Sequence, residues 1–205
     1  MFRTHSVGFF TVAFRSLIAA LVVLGIVYPL VVTGVSQVIM RHHANGSLIK
    51  DDQGATRGSE LLAQSFHDSQ GQVLAQYFEP RPSAAGDGYD ALASGGSNLG
   101  PNSSELLTAI ENRAAVFART NDVPVSEVPA DAVTASASGL DPHVSWDSVL
   151  VQVDRVAKAR NLTSEQILDI AAQEKIQGLP WGVSHMPVNV VRVNARLDAL
   201  QASTD

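Results

Sequence analysis

The sequence has no cysteine, which rules out disulfides, thiolate nucleophiles and thiolate-held metals. It also has no Asp or Glu in its first 50 residues. All 20 acids lie from Asp51 onward, while 11 of the 14 basic residues lie beyond Arg41. The long C-terminal part is therefore acidic, a balance that disfavours DNA, RNA and anionic lipid as its partners. Aromatics are scarce at 6%, so base-stacking platforms are not expected either. No Gly-Lys pair occurs anywhere. That removes the P-loop, whose lysine meets the phosphates.

What the beginning of the chain does have is apolar length. Between Arg15 and Arg41 the 25 residues "SLIAALVVLGIVYPLVVTGVSQVIM" carry no charge. As a helix this stretch is roughly 37 Å long, enough to cross a hydrocarbon core of about 30 Å. Only a helix satisfies the backbone of a single segment in lipid. Pro29 is expected to kink it, with Thr33 and Ser36 returning hydrogen bonds to the freed carbonyls. A cleaved signal peptide is the rival reading, since Val32-Thr33-Gly34 is a passable cleavage site. The apolar run is longer than a signal core and continues through Val38, Ile39 and Met40, which favours a retained anchor. Basic residues at the two ends nearly tie, so the acid-free tail sets the expected orientation: N-terminus in the cytoplasm, domain outside. The expected organisation is a tail at 1–15, a transmembrane helix at 16–40 and an extracytoplasmic domain at 41–205.

That domain reads as mixed α/β. Leu48-Ile49 and Leu61-Leu62 suggest two short strands around a turn at "DDQG". Asn102 with Glu105 suggests a capping box that opens a helix on Leu106, Leu107, Ile110, Ala114 and Phe117, ended by Asn121 and Pro124. Ser145 caps a second helix, with Asp147 in its first turn and Trp146, Val149, Leu150, Val153, Val156 and Ala157 on one face. Thr163 and Gln166 box a third, running to Gly178 and Pro180. "VNVVRV", Val188–Val193, is the strongest strand signal, with "NARLDAL" as a short helix behind it.

Two stretches break these patterns: the Pro-, Gly- and Ser-rich run Tyr77–Pro101 and "TASASGLDPH", Thr134–His143. "GDGYDA", Gly86–Ala91, formally fits a dinucleotide fingerprint. Arg81 and two prolines stand where a strand is required, and Asp87 and Asp90 would repel a pyrophosphate. "GGSNLG" misses the nucleophile-elbow spacing by one residue. His143 beside Asp141, with Ser136 or Ser138, is the remaining place to assemble a hydrolase triad, although Asp141-Pro142 more simply starts a turn. His42 and His43 are adjacent, diverge by about 100° on a helix and do not chelate as a pair. They suit a membrane interface, and no metal site is expected.

In order along the chain, "YPLVVTGVSQ" (28–37), "HANGSLI" (43–49), "GSELLAQSF" (58–66), the run 77–101, "VPADAVTASASGLDPHVS" (128–145), "QVDRVAKAR" (152–160) and "VNVVRVNARLDAL" (188–200) resemble the C subunit of the Kdp potassium-transporting ATPase. The resemblance covers nearly everything past the first 15 residues. It implies a non-catalytic, single-pass subunit of a bacterial inner-membrane complex. Its partners would be a channel-like A subunit and an ATP-hydrolysing B subunit. Its role would be assembly, or a catalytic chaperoning that raises ATP affinity in the B subunit. ATP then enters only through the complex. The family's Ser-Gly-Gly-Ser stretch is likened to the ABC-transporter signature; here Ser94, Gly95, Gly96, Ser97 and Asn98 occupy it, with Ser97 in place of glutamine.

Glycines let a second backbone approach, and small hydroxyls and amides bond adaptably. Arg81, Pro82, Ser83, Tyr89, Asn98, Ser136, Ser138, Asp141 and His143 are therefore the expected partner-contact residues. Loops this light in side chains are expected to add little to the core. Gly25 and Gly34 are the expected helix-packing positions in the anchor. The competing functions are a membrane-anchored hydrolase built on His143 and a stand-alone scaffold.

Overall fold

Twenty-five uncharged residues can only be helical in lipid, and residues 5–39 are helical throughout. The computed structural model describes residues 5–51, 53–176 and 187–202. It divides the chain into two units, Met1–Ser47 and Leu48–Asp205. In the first, α1 (His5–Val22) passes through a π-helical stretch (Val23–Val27) into α2 (Tyr28–Ile39), followed by the single turn α3 (Arg41–Ala44). The run Gly8–Ile39 is long and apolar enough to span a membrane, and none of it is buried. Pro29 is accommodated by the π segment, in which the Tyr28 N–H reaches five residues back to Val23 O. Thr33 and Ser36 do not fill the role expected of them. A hydroxyl reaches the carbonyl three or four residues back, and both lie too far along the helix from Leu24 and Gly25. Met40, at φ −134°, breaks the helix. Asn45 closes the end, its Nδ2 donating to Arg41 O at 2.6 Å and to Gln37 Oε1 at 3.2 Å.

The second unit is α/β, as expected, with helices dominating. β1 (Leu48–Lys50) and β2 (Thr56–Ser59) form an antiparallel pair, Leu48 opposite Ser59. The turn between them is organised by the Asp51 carboxylate, which accepts from the Gln53 and Ala55 N–H groups and pairs with Arg57. Leu61 and Leu62 fall beyond the strand and are exposed.

α4 spans Ser104–Asn121, and its cap is Ser103, not Asn102: the Ser103 side chain accepts from Leu106 N. A short 3₁₀ turn (Val125–Glu127), α5 (Ala130–Val133) and β3 (His143–Val144) lead to α6 (Trp146–Arg160). Ser145 caps α6 as expected. α7 (Ser164–Gln173) opens with the complete Thr163/Gln166 capping box. Gly178 and Pro180, expected to stop that helix, lie outside the described residues.

The predicted strand over 188–193 is largely overturned. Only β4 (Val188–Asn189) is extended, pairing antiparallel with β3, and α8 (Val190–Ala202) starts at once. Asn189 makes the switch by accepting from Arg192 N at 3.1 Å. Val188, Val190, Val191 and Val193 are all buried. A continuous apolar run fits a buried helix start as well as it fits a buried strand.

The core is built from α6, α7, α8 and the extended segment around Phe78, with Val149, Val153, Val156, Ile167 and Leu197 at its centre. Two buried amides hold that segment between the helices. Asn194 accepts from Phe78 N at 2.9 Å and donates to Phe78 O at 2.9 Å. Gln152 accepts from Glu79 N at 2.7 Å and donates to Glu79 O at 3.3 Å. The two side chains do for this backbone what a neighbouring strand would do. Beside them, Arg155 donates to the carbonyls of Ala75 and Tyr77 and to Asn121 Oδ1.

Candidate functional site

The pinned segment delivers the chain into the first of the two light loops, and the structure folds the two loops onto one another. Ser136 N donates to Pro82 O at 3.1 Å, and Gly95 N donates to Ser138 O at 3.0 Å. Ser94 Oγ donates to the same Ser138 O at 2.9 Å. The glycines serve this closure. Gly139 has φ +69°, and a Cβ there would lie 2.6 Å from Ala85 Cβ and 2.9 Å from Gly95 O. At Gly96 a Cβ would meet Ala137 O at 3.1 Å, whereas Gly95 has room. The loops thus form a small core of their own, burying Ala85, Ser136 and Leu140, which corrects the expectation that they contribute little.

Most of the residues singled out from the sequence meet here. Ser83 Oγ accepts from Ala85 N at 3.1 Å and from Tyr89 N at 2.8 Å. Tyr89, in the left-handed region at φ 58°, donates its hydroxyl to Arg81 O at 3.0 Å. Burial raises the Tyr89 phenol above its ordinary value, so it stays a neutral donor. Arg81 bridges the loops, pairing with Asp141 at 3.3 Å and donating to the carbonyls of Thr134 and Ala135. Asp141 Oδ1 accepts from His143 N at 3.0 Å and contacts His143 Nδ1 at 3.0 Å. Burial pushes the Asp141 carboxyl up. The hydrogen bonds from His143, with the charges of His143 and Arg81, outweigh it and hold the carboxyl below the usual range. Ser136 Oγ and Ser138 Oγ share a hydrogen bond at 3.3 Å, and Ser138 Oγ also accepts from Leu140 N.

Four of the predicted loop positions, Ser94, Ser97, Asn98 and Ser138, are exposed; Asn98 lies in the left-handed region with its amide turned onto Gly96 O at 3.2 Å. Gly25 and Gly34 have open space where a side chain would stand. His42 and His43 pack edge to face, centroids 5.5 Å apart.

The arrangement is a pair of loops locked to one another, with Arg81, Asp141 and His143 joined in one hydrogen-bonded group. No described hydrogen bond joins a serine to His143, and Ser145, two residues on, gives its hydroxyl to Asp131 at 2.8 Å. Sequence reasoning missed Asn194 and Gln152, whose partners are remote in the chain, and the exposed Leu92 at the loop tip. Leu92 is 98% accessible, on a turn where Asp90 Oδ1 accepts from Leu92 N at 2.8 Å.

Comparison with known proteins joins the two units into one match. The profile of the family described as "K+-transporting ATPase, c chain" matches residues 10–199. A protein of Myxococcus xanthus named "Potassium-transporting ATPase KdpC subunit" is 43% identical over 190 residues, covering 92% of this chain and 87% of its own. Proteins with the same name in Mycobacterium tuberculosis (strain H37Rv) and Caulobacter sp. (strain K31) are 44% and 45% identical. They match 92% and 87% of this chain, and 96% and 87% of theirs.

Proposed function

Because the chain belongs to the family of K+-transporting ATPase c chains, we propose that it is the accessory subunit of an ATP-driven potassium pump. It holds the channel-like and ATP-hydrolysing subunits together and raises the ATP affinity of the latter. The observation that carries this reading is the extent of the match. Residues 10–199 take in both the apolar helix and the folded unit, so the two are shared as a single architecture.

In this reading the helix crosses the bacterial cell membrane once, with the N-terminus in the cytoplasm and the folded unit outside. The interlocked loops dock on the outer surfaces of the partner subunits, offering Ser97, Asn98 and Leu92 from a framework held by Ser83, Tyr89 and Arg81. Direct nucleotide contact by Ser94–Asn98 is not part of it. Gly95 N and Ser94 Oγ, the groups a phosphate would use, are engaged with Ser138 O. The subunit acts on ATP affinity through the conformation of the complex and performs no chemistry itself.

Expression of the two larger subunits with and without this chain tests the proposal. With it, they co-purify and hydrolyse ATP at a lower KM for ATP; equal recovery and equal KM without it would refute the reading. Externally added protease should cut the folded unit in intact spheroplasts, and protection would reverse the orientation.

A further inference from the structure

The π segment leaves the Leu24 carbonyl without a backbone donor. In a regular helix Leu24 O would accept from Tyr28 N and Gly25 O from residue 29. Here Tyr28 N–H is turned to Val23 O, and residue 29 is proline, which has no N–H. In the π pattern Leu24 would again need residue 29. Leu24 O therefore loses the donor of either pattern, whereas Gly25 O keeps the Leu30 N–H as its π-pattern donor.

The location of Leu24 O makes that loss expensive. Leu24 lies nine residues beyond Arg15, about 13 Å along the axis. That is close to the middle of a hydrocarbon core about 30 Å thick, where neither water nor lipid tails donate. The helix has no side chain of its own to help there: a serine or threonine at position 27 or 28 would reach Leu24 O, but Val27 and Tyr28 stand in those places. The surface is open, because Gly25 has no side chain and nothing lies within 4 Å of where one would begin.

We infer that Leu24 O is an acceptor site for a side-chain O–H or N–H donor on a transmembrane helix of another subunit, which approaches closely over Gly25. The inference rests on the pump-subunit reading and deepens it by stating what the partner helix must carry. A helix offering only aliphatic side chains would leave the Leu24 carbonyl bare, so the partner bears Ser, Thr, Asn, Gln or another donor at that depth. A second copy of this chain is a poorer fit, since its only hydroxyl within a turn of that level is the bulky Tyr28.

The test uses the full chain co-expressed with the two larger subunits. Pro29→Ala restores the missing N–H, so the helix satisfies itself. Gly25→Leu leaves the Leu24 carbonyl bare but blocks the approach. Each should weaken association roughly three- to tenfold, while Val38→Leu, on an equally open part of the helix, should not. Labelling with carbonyl-¹³C leucine and ¹⁵N glycine marks only the Leu24–Gly25 and Leu99–Gly100 peptides. The Leu24 carbonyl resonance should move downfield on going from the isolated chain to the complex. Wild-type association in both helix variants, or an unmoved Leu24 resonance, overturns the inference while leaving the pump reading standing. A downfield position already present in the isolated, self-associated chain assigns the acceptor to a second copy and overturns it too. Failure of the wild-type chain to co-purify at all defeats the pump reading itself.

Discussion

At the scale of single residues, the glycines of the two loops separate into those the fold needs and those it leaves free. Gly139 is needed twice over: its φ of +69° is strained for any side chain, and Ala85 fills the space a Cβ would take. Gly139→Ala should destabilise the folded chain by about 1–3 kcal/mol, while Gly95→Ala, with room around it, should change little. Thermal unfolding of the two variants in detergent compares them directly. Equal melting temperatures would mean that the loops are not locked as described.

His67 gives a pH signature at the same scale. Its Nε2 lies 3.3 Å from Glu79 Oε1, its Nδ1 pairs with Ser65 Oγ, and Asp68 adds negative charge. The hydrogen bond to Glu79 raises its pKa above the ordinary value against an opposing pull from burial. A pKa raised on folding stabilises most where the unfolded group is already protonated. The contribution is thus complete below about pH 6.5 and fades as pH rises through the higher folded value. Partly exposed, the pair contributes on the order of 0.5–1 kcal/mol. His67→Gln should therefore reduce stability at pH 5.5 and leave it nearly unchanged at pH 8.5. A loss of equal size at both values would show that the imidazolium charge is not what Glu79 recognises.

At the scale of elements, what the sequence reveals depends on whether the signal is local. The caps of α6 and α7 were legible because Ser145, and Thr163 with Gln166, bond to backbone within three residues. The start of α4 was misread by one residue, since Asn102, Ser103 and Ser104 are all competent caps and only geometry chooses. Ser103→Ala should cost about 0.5–2 kcal/mol in a denaturant titration and Asn102→Ala almost nothing; the reverse order would restore the sequence reading. The 188–193 run was illegible for a different reason. Burial on every side erases the periodicity that tells a helix from a strand. The clamp on Phe78 was hidden as well, because an Asn or Gln in a helix carries no sign of which backbone it will meet 116 or 73 residues away. Asn194→Leu keeps the volume near that of the amide but orphans Phe78 N and O. A loss of about 2–4 kcal/mol is expected from two unsatisfied buried groups, and a neutral outcome would show that water replaces the amide. The candidate site was half legible: its residues stood out by composition, and their mutual contact did not, since loops without periodicity announce no partner.

At the scale of the whole molecule, the division between Ser47 and Leu48 separates two ways of being stable. The apolar helix Gly8–Ile39 of the first unit buries nothing in itself and depends on lipid or on other helices, whereas the second unit encloses its own core around Phe78, Val149, Val156, Ile167 and Leu197. Apolar burial is what drives folding in water. It follows that a chain beginning at Ser47 should fold, stay in solution and melt cooperatively near the temperature of the second unit in the full chain. The same argument predicts what truncation removes. A helix with a hydrogen-bond acceptor at membrane depth holds its partner with contacts the folded unit does not make. The truncated chain should then bind the two large subunits more weakly than the full chain, and Pro29→Ala should fall between them. Circular dichroism of the fragment checks the first statement, and competition between tagged full-length and truncated chains for the assembled pump checks the second. A fragment that unfolds, or one that competes on equal terms, would show that stability and grip are not divided between the units in this way.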